Sequence, residues 1–164
     1  MFSFDSELYI QIWPTKLTIT KVKTGEVFQE ECVGPFERSR LIINDFEAAE
    51  KQLRQSVRKV YENSFAPPAP RMVIHPMDLP PDGISSIEIR AFRDLAVSAG
   101  AREVKVYTGL AIPIDDFDYK SIQSSDALAG SAIRKKATVI LEAFFSVLFL
   151  FLFLFMYEMF TNYW

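Results

Sequence analysis

The stretch R-M-V-I-H-P-M-D-L-P-P-D-G-I-S-S-I-E-I-R-A-F-R-D-L-A-V-S-A-G-A-R-E-V-K-V-Y, Arg71 to Tyr107, decides the fold. Met72-Val73-Ile74 is a short apolar run with strand composition, and the Pro/Asp/Gly segment Pro76 to Gly83 closes it. Ser85 with Glu88 three residues later is the signature of a capping box opening a helix, in which Ile87, Ile89, Phe92, Leu95 and Ala96 form one apolar stripe. Gly100 stops that helix, and Glu103 to Tyr107 returns to strand composition. Strand, helix, strand over this length predicts a crossover between parallel neighbours.

Upstream, Leu8–Ile12, Thr15–Val22 and Glu26–Cys32 alternate as strands, with Lys23-Thr24-Gly25 as a turn, and predict an antiparallel meander. Gly34-Pro35 interrupts it, and Leu41-Ile42-Ile43 is a short apolar run. Phe46, Ala49, Leu53, Val57, Val60 and Tyr61 then recur at helical spacing, opposite Glu50, Lys51, Arg54, Arg58 and Lys59. Asn44 with Glu47 suits a variant capping box, and Pro67, Pro68 and Pro70 force an extended exit. A meander feeding a parallel unit predicts a small α/β domain with a mixed sheet. Thr108 to Ser125 is Asp- and Ser-rich without sustained periodicity and reads as a linker.

Beyond it the composition changes. Of 15 Phe in the 164 residues, seven lie between Phe144 and Phe160, and no charge interrupts Ala143 to Tyr157. Ala137 to Phe160 is 24 residues, about 36 Å as a helix against a hydrocarbon core of about 30 Å. The expectation is a transmembrane helix over 137–160, with Ala137, Phe144, Phe151 and Phe160 marking its length. Arg134, Lys135 and Lys136 precede the run and no Lys or Arg follows it, which orients the preceding domain to the cytoplasm. The N-terminus lacks the basic region of an export signal, so the expectation is a single-pass, tail-anchored protein of the cell inner membrane, with lipid as one partner.

Charge and composition exclude several classes. The whole chain has 18 Lys+Arg and 21 Asp+Glu, a balance that gives no nucleic-acid surface. The single Cys32 and single His75 exclude a disulfide framework and a His/Cys metal cage. Asp115, Asp116 and Asp118 lack the ligand spacing of a calcium loop and read as a solvated run. His75 reads as structural, since no nucleophile or second base stands near it in sequence. Trp13-Pro14 reads as an aromatic plug, with contact to a partner as the alternative.

These residues resemble the bacterial actin MreB family, in its first subdomain. The resemblance is carried by the opening M-F-S-F-D-S-E-L-Y-I-Q-I, by the helix Asp45 to Phe65, by Pro70-Arg71-Met72-Val73-Ile74, and by Ala99-Gly100-Ala101-Arg102-Glu103-Val104. It implies a truncated actin/Hsp70-type (ribonuclease-H-like) subdomain over 1–107, followed by a linker with a basic end over 108–136, the membrane segment 137–160, and a short tail 161–164. In that family the first phosphate loop has an Asp and a Gly where this chain has Gln11 and Trp13, followed by Pro14. Gln carries no charge to organise a metal's water shell, an indole fills the space of a backbone cradle, and Pro lacks an amide donor. The family's catalytic Glu, just after the last strand, falls at Tyr107-Thr108-Gly109. The expectation is therefore a non-enzymatic, membrane-anchored interaction protein with no cofactor and no metal, contacting the MreB cytoskeleton or cell-shape machinery, with the oligomeric state open. The alternatives are a membrane-located immunity or protective binding protein, and a nucleotide-binding remnant without ATPase activity.

Overall fold

The computed structural model describes residues 6–32, 34, 36, 43–65, 67–81 and 83–125. The chain divides into two units, Met1–Asp126 and Ala127–Trp164, and every described residue belongs to the first.

Three strands open the domain: β1 (Glu7–Ile12), β2 (Lys16–Lys21) and β3 (Val27–Glu31). Helix α1 (Phe46–Val60), strand β4 (Arg71–Pro76), helix α2 (Ser86–Ser98) and strand β5 (Glu103–Val106) follow. They form one five-stranded sheet in the order β3-β2-β1-β4-β5. The meander β1-β2-β3 is antiparallel, and β4 and β5 run parallel to β1. The mixed sheet and its parallel crossover are as expected from the alternation of the sequence.

Register places one row of branched side chains across the sheet: Ile19 opposite Ile10, Ile10 opposite Ile74, and Ile74 opposite Val106. Because side chains alternate along a strand, this row and its even-spaced neighbours Leu8, Ile12, Leu17 and Met72 share one face. That face is fully covered by Ala49, Leu53, Val57 and Val60 of α1 and by Ile89, Phe92, Leu95 and Ala96 of α2. Burial of each large apolar side chain stabilises by roughly 1.5–3 kcal/mol, so this layer is the main source of fold stability.

The helix ends follow from local chemistry. In α2 the capping box is complete: Glu88 N donates to Ser85 Oγ at 3.2 Å, and Ser85 N donates to the Glu88 carboxylate at 3.0 Å. At the other end Gly100 has φ +98°, and Ala101 N donates to Ala96 O while Gly100 N donates to Val97 O. This is the Schellman arrangement, which needs a residue without a Cβ at that left-handed position. Helix α1 is capped by Asp45, whose side chain accepts from Ala48 N at 3.0 Å, one residue later than the expected Asn44. Its helical turns stop at Val60, and Tyr61–Asn63 form a turn. Ile87 does not join the apolar stripe; it is 79% exposed, because two residues before Ile89 is about 200° around the helix.

Thr108–Ser125 is not a free linker. Tyr119 and Ile122 are buried with Tyr9 and Val73 on the sheet face opposite the helices, and Ile112, Ile114 and Phe117 add to the cluster. Lys105 Nζ donates to Tyr119 O at 2.6 Å and to Ile122 O at 2.7 Å. Tyr119 also lies under two cations, Arg71 at 5.0 Å and Lys105 at 4.6 Å from the ring centre.

The expected fold class, a mixed sheet with one C-terminal transmembrane helix, is corrected in its second part. Among the described residues no helix is long and apolar enough to cross a membrane. Helices α1 and α2 have 15 and 13 residues and each buries one face only, whereas a span takes about 20 mostly apolar residues. The run that motivated the expectation, Ala137 to Phe160 with Phe144 and Phe151, and the basic triplet Arg134, Lys135 and Lys136, lie outside the described residues.

Candidate functional site

In a sheet with parallel strands, sites form where the strands end at their carboxyl side. Here that edge is built by β1, β4 and β5. Met77 N donates to Ile12 O at 2.8 Å, and Tyr107 N donates to Ile74 O at 2.8 Å, so the three strand ends are hydrogen-bonded side by side.

Gln11, Trp13 and Pro14 fall together at the end of β1 and in the hairpin that leads to β2. The turn is closed by Trp13 N donating to Lys16 O at 2.9 Å. The Trp13 ring is half-buried and carries Lys16 Nζ at 4.3 Å from its centre. Its neighbour is thus a cation from its own hairpin. Gln11 is half-buried, with its amide nitrogen 3.7 Å from Met77 Sδ. Neither side chain supplies negative charge to this edge, and Pro14 supplies no amide donor.

His75 is 2% exposed near the end of β4, and both ring nitrogens are engaged. Nε2 is 3.0 Å from Gly109 O and Nδ1 is 2.6 Å from Tyr9 Oη. A carbonyl only accepts, so Nε2 carries the proton and Nδ1 accepts from the Tyr9 hydroxyl. The same hydroxyl accepts from Ile112 N at 3.3 Å and bonds the Gln11 side chain. Burial pushes the His75 pKa down, against the smaller upward pull of the Gly109 carbonyl. Burial also pushes the Tyr9 phenol up. The ring is therefore neutral at pH 7 with neither nitrogen available to a substrate.

The aromatic side chain that closes this edge is Tyr107. Its ring meets His75 edge-on at 5.0 Å between centres, and it folds across Gly109 so closely that a Cβ there would lie 2.1 Å from the phenol oxygen. Only a glycine permits that packing without displacing the ring. Tyr9 was not singled out by the sequence, and Tyr107 and Gly109 were noted only as the place of the family's catalytic Glu; the one available signal for Tyr9 was an aromatic residue on the alternation of β1 opposite Leu8, Ile10 and Ile12.

The other candidates lie away from the edge. Asp115 and Asp116 sit in a single 3-10 turn, Ile114–Asp116, and the Asp118 side chain accepts from Lys120 N at 3.0 Å. Among the described residues no group of three or more His, Cys, Asp or Glu is arranged to hold a metal. Cys32 is buried and its thiol is pushed up to about 11, first by burial and then by the Glu30 carboxylate. A cleft of about 560 Å³ opens at the opposite end of the sheet, between the end of α1 and the β2–β3 turn. There Lys21 pairs with Glu26 at 2.7 Å and stands over Phe28 and Tyr61.

A five-stranded mixed sheet with two helices on one face is compatible with an actin-like subdomain. The comparisons with known proteins narrow this class. Over 63 residues the chain is 41% identical to the cell shape-determining protein MreB of Escherichia coli (strain K12) and to that of Salmonella typhimurium (strain LT2). The MreB of Pasteurella multocida (strain Pm70) is 36% identical over 63 residues. Each match covers 38% of this chain and 17% of the relative, so the matched region spans about a sixth of these relatives' length. No family model matches the chain.

Proposed function

We propose that this chain is a non-enzymatic interaction protein of the cell-shape cytoskeleton, presenting an actin-like surface to MreB filaments or to proteins bound to them. The observation that carries this reading is the 41% identity to MreB over 63 residues, in a chain whose fold is compatible with an actin-like subdomain. The chemistry of the carboxyl edge supports a binding role over a catalytic one. Where the resemblance calls for a phosphate loop there are Gln11, Trp13 and Pro14, and the one imidazole is committed to Tyr9 and Gly109. A half-buried Trp beside a Lys suits protein contact, since aromatic side chains dominate interface hot spots.

The cell inner membrane location belongs to the same proposal and rests only on the composition of residues 137–160. Affinity capture of the tagged full chain from detergent extracts, with mass spectrometry of the bound proteins, tests the partner claim. Recovery of MreB above an unrelated tagged control supports it; its absence from repeated captures removes it. A thermal-shift titration with ATP separates the nucleotide-binding alternative, because a ligand at 100 times its Kd adds about 2.7 kcal/mol to stability. The proposal expects no shift.

A further inference from the structure

Residues 107–125 are held to the sheet largely through side chains. Gly109 O accepts from His75 Nε2, Ile112 N donates to Tyr9 Oη, and Lys105 binds the carbonyls of Tyr119 and Ile122. Of these sheet groups, His75 is the type whose charge changes near neutral pH.

We propose that residues 107–125 form a strap latched by the His75 ring, and that protonation of this ring releases the strap and uncovers the sheet face around Tyr9 and Val73, opposite the helices.

The argument is geometric. A proton added at Nδ1 abolishes the acceptor of the Tyr9 hydroxyl and leaves a cation 2% exposed. To accept from a protonated Nδ1 the hydroxyl must turn its own proton toward the Gln11 side chain while its oxygen still accepts from Ile112 N, and the added charge stays buried with no carboxylate of the described residues in contact. The groups facing His75 are Tyr9 from β1, Tyr107 after β5, and the main chain of Gly109. Among the described residues the influences on its ionisation are burial, which lowers the pKa, and the Gly109 carbonyl, which raises it. The charged side chains Glu7, Arg71, Arg102, Glu103 and Lys105 act on Tyr119 instead. A buried charge without a counter-charge is costly, and lifting Gly109 and Ile112 away is the movement that returns water to the ring.

The sign follows from burial lowering the His75 pKa. The latch contributes fully above a pH of about 6.5 and is lost as pH falls from there toward the folded value, by at most about tenfold per pH unit for one proton.

The test is amide hydrogen exchange of the full chain, read by mass spectrometry between pH 7.5 and 5, with rates normalised to the intrinsic rate at each pH. The reporters are the bonded amides of Ile112, Asp116, Phe117, Ser121 and Ile122, with α1 as the reference. Protection of 107–125 is expected to fall by up to about tenfold per pH unit below pH 6.5 while α1 stays constant, and His75→Gln is expected to lose this dependence. Flat protection in the unmodified chain, or the same fall in His75→Gln, overturns the proposal. The chain has one histidine, so its ring proton resonances give an independent reading even where the variant does not fold. A ring midpoint below about 6.5, with strap protection already falling above that midpoint, supports the latch; a midpoint at or above 6.5 overturns it.

Discussion

Tyr9→Phe removes one oxygen and nothing else. The Tyr9 hydroxyl donates to His75 Nδ1 at 2.6 Å, accepts from Ile112 N at 3.3 Å and bonds the Gln11 side chain. The ring keeps its contact with Phe117, 5.6 Å between centres, so no large cavity forms. What is lost is the partner of a buried imidazole nitrogen, about 1–3 kcal/mol, plus a longer and weaker bond to Ile112, about 0.5–1 kcal/mol. The expected cost is about 2–3 kcal/mol, which lowers the urea midpoint by about 1 M at a typical slope. The assay is urea unfolding of the full chain followed by far-ultraviolet circular dichroism, with Tyr107→Phe as control. Tyr107 has the same ring chemistry at the same edge and is expected to change stability by less than about 0.5 kcal/mol. A Tyr9→Phe cost below about 0.5 kcal/mol, or one equal to that of Tyr107→Phe, would refute the hydrogen-bond chain through His75.

Ser85→Ala deletes the cap of α2 and is expected to cost about 0.5–2 kcal/mol in the same assay. Gly100→Ala meets no atom within 4 Å but places a Cβ at φ +98°, so backbone strain of about 1–3 kcal/mol is expected in urea unfolding. Leu53→Ala, at a fully buried position under the sheet, is expected to cost about 2–5 kcal/mol, enough to lower the thermal midpoint by several degrees. Cys32, with its thiol raised to about 11, is expected to resist iodoacetamide at pH 8 in the folded chain and to react once urea unfolds it, as read by mass increase.

The elements that were legible in the sequence are those whose signals are local. The Ser85/Glu88 pair and Gly100 fixed both ends of α2, because a capping box and a left-handed stop act within four residues. The three- and four-residue spacing of Ala49, Leu53 and Val57 marked the buried face of α1. Asp45 and Asn44 are adjacent residues of equal capping ability, and only the path of the incoming chain selects Asp45. The 107–125 strap was illegible for a different reason. Tyr119 and Ile122 stand among Asp and Ser, and their burial depends on Tyr9 and Val73, which are distant in sequence. The Tyr9–His75 bond joins residues 66 positions apart and follows from the parallel register of β1 against β4, which sequence periodicity does not fix. The strand end at Gln11 and Trp13 was legible from the composition of Leu8–Ile12, and only their correspondence to a phosphate loop came from family resemblance. That Tyr107 closes over Gly109 came only from the fold.

Co-sedimentation of the purified full chain with polymerised MreB tests the central claim most directly. The account predicts that the chain pellets with filaments in a saturable manner and that Trp13→Ala weakens this under conditions where circular dichroism shows the variant folded. A chain that stays in the supernatant at every filament concentration would contradict it.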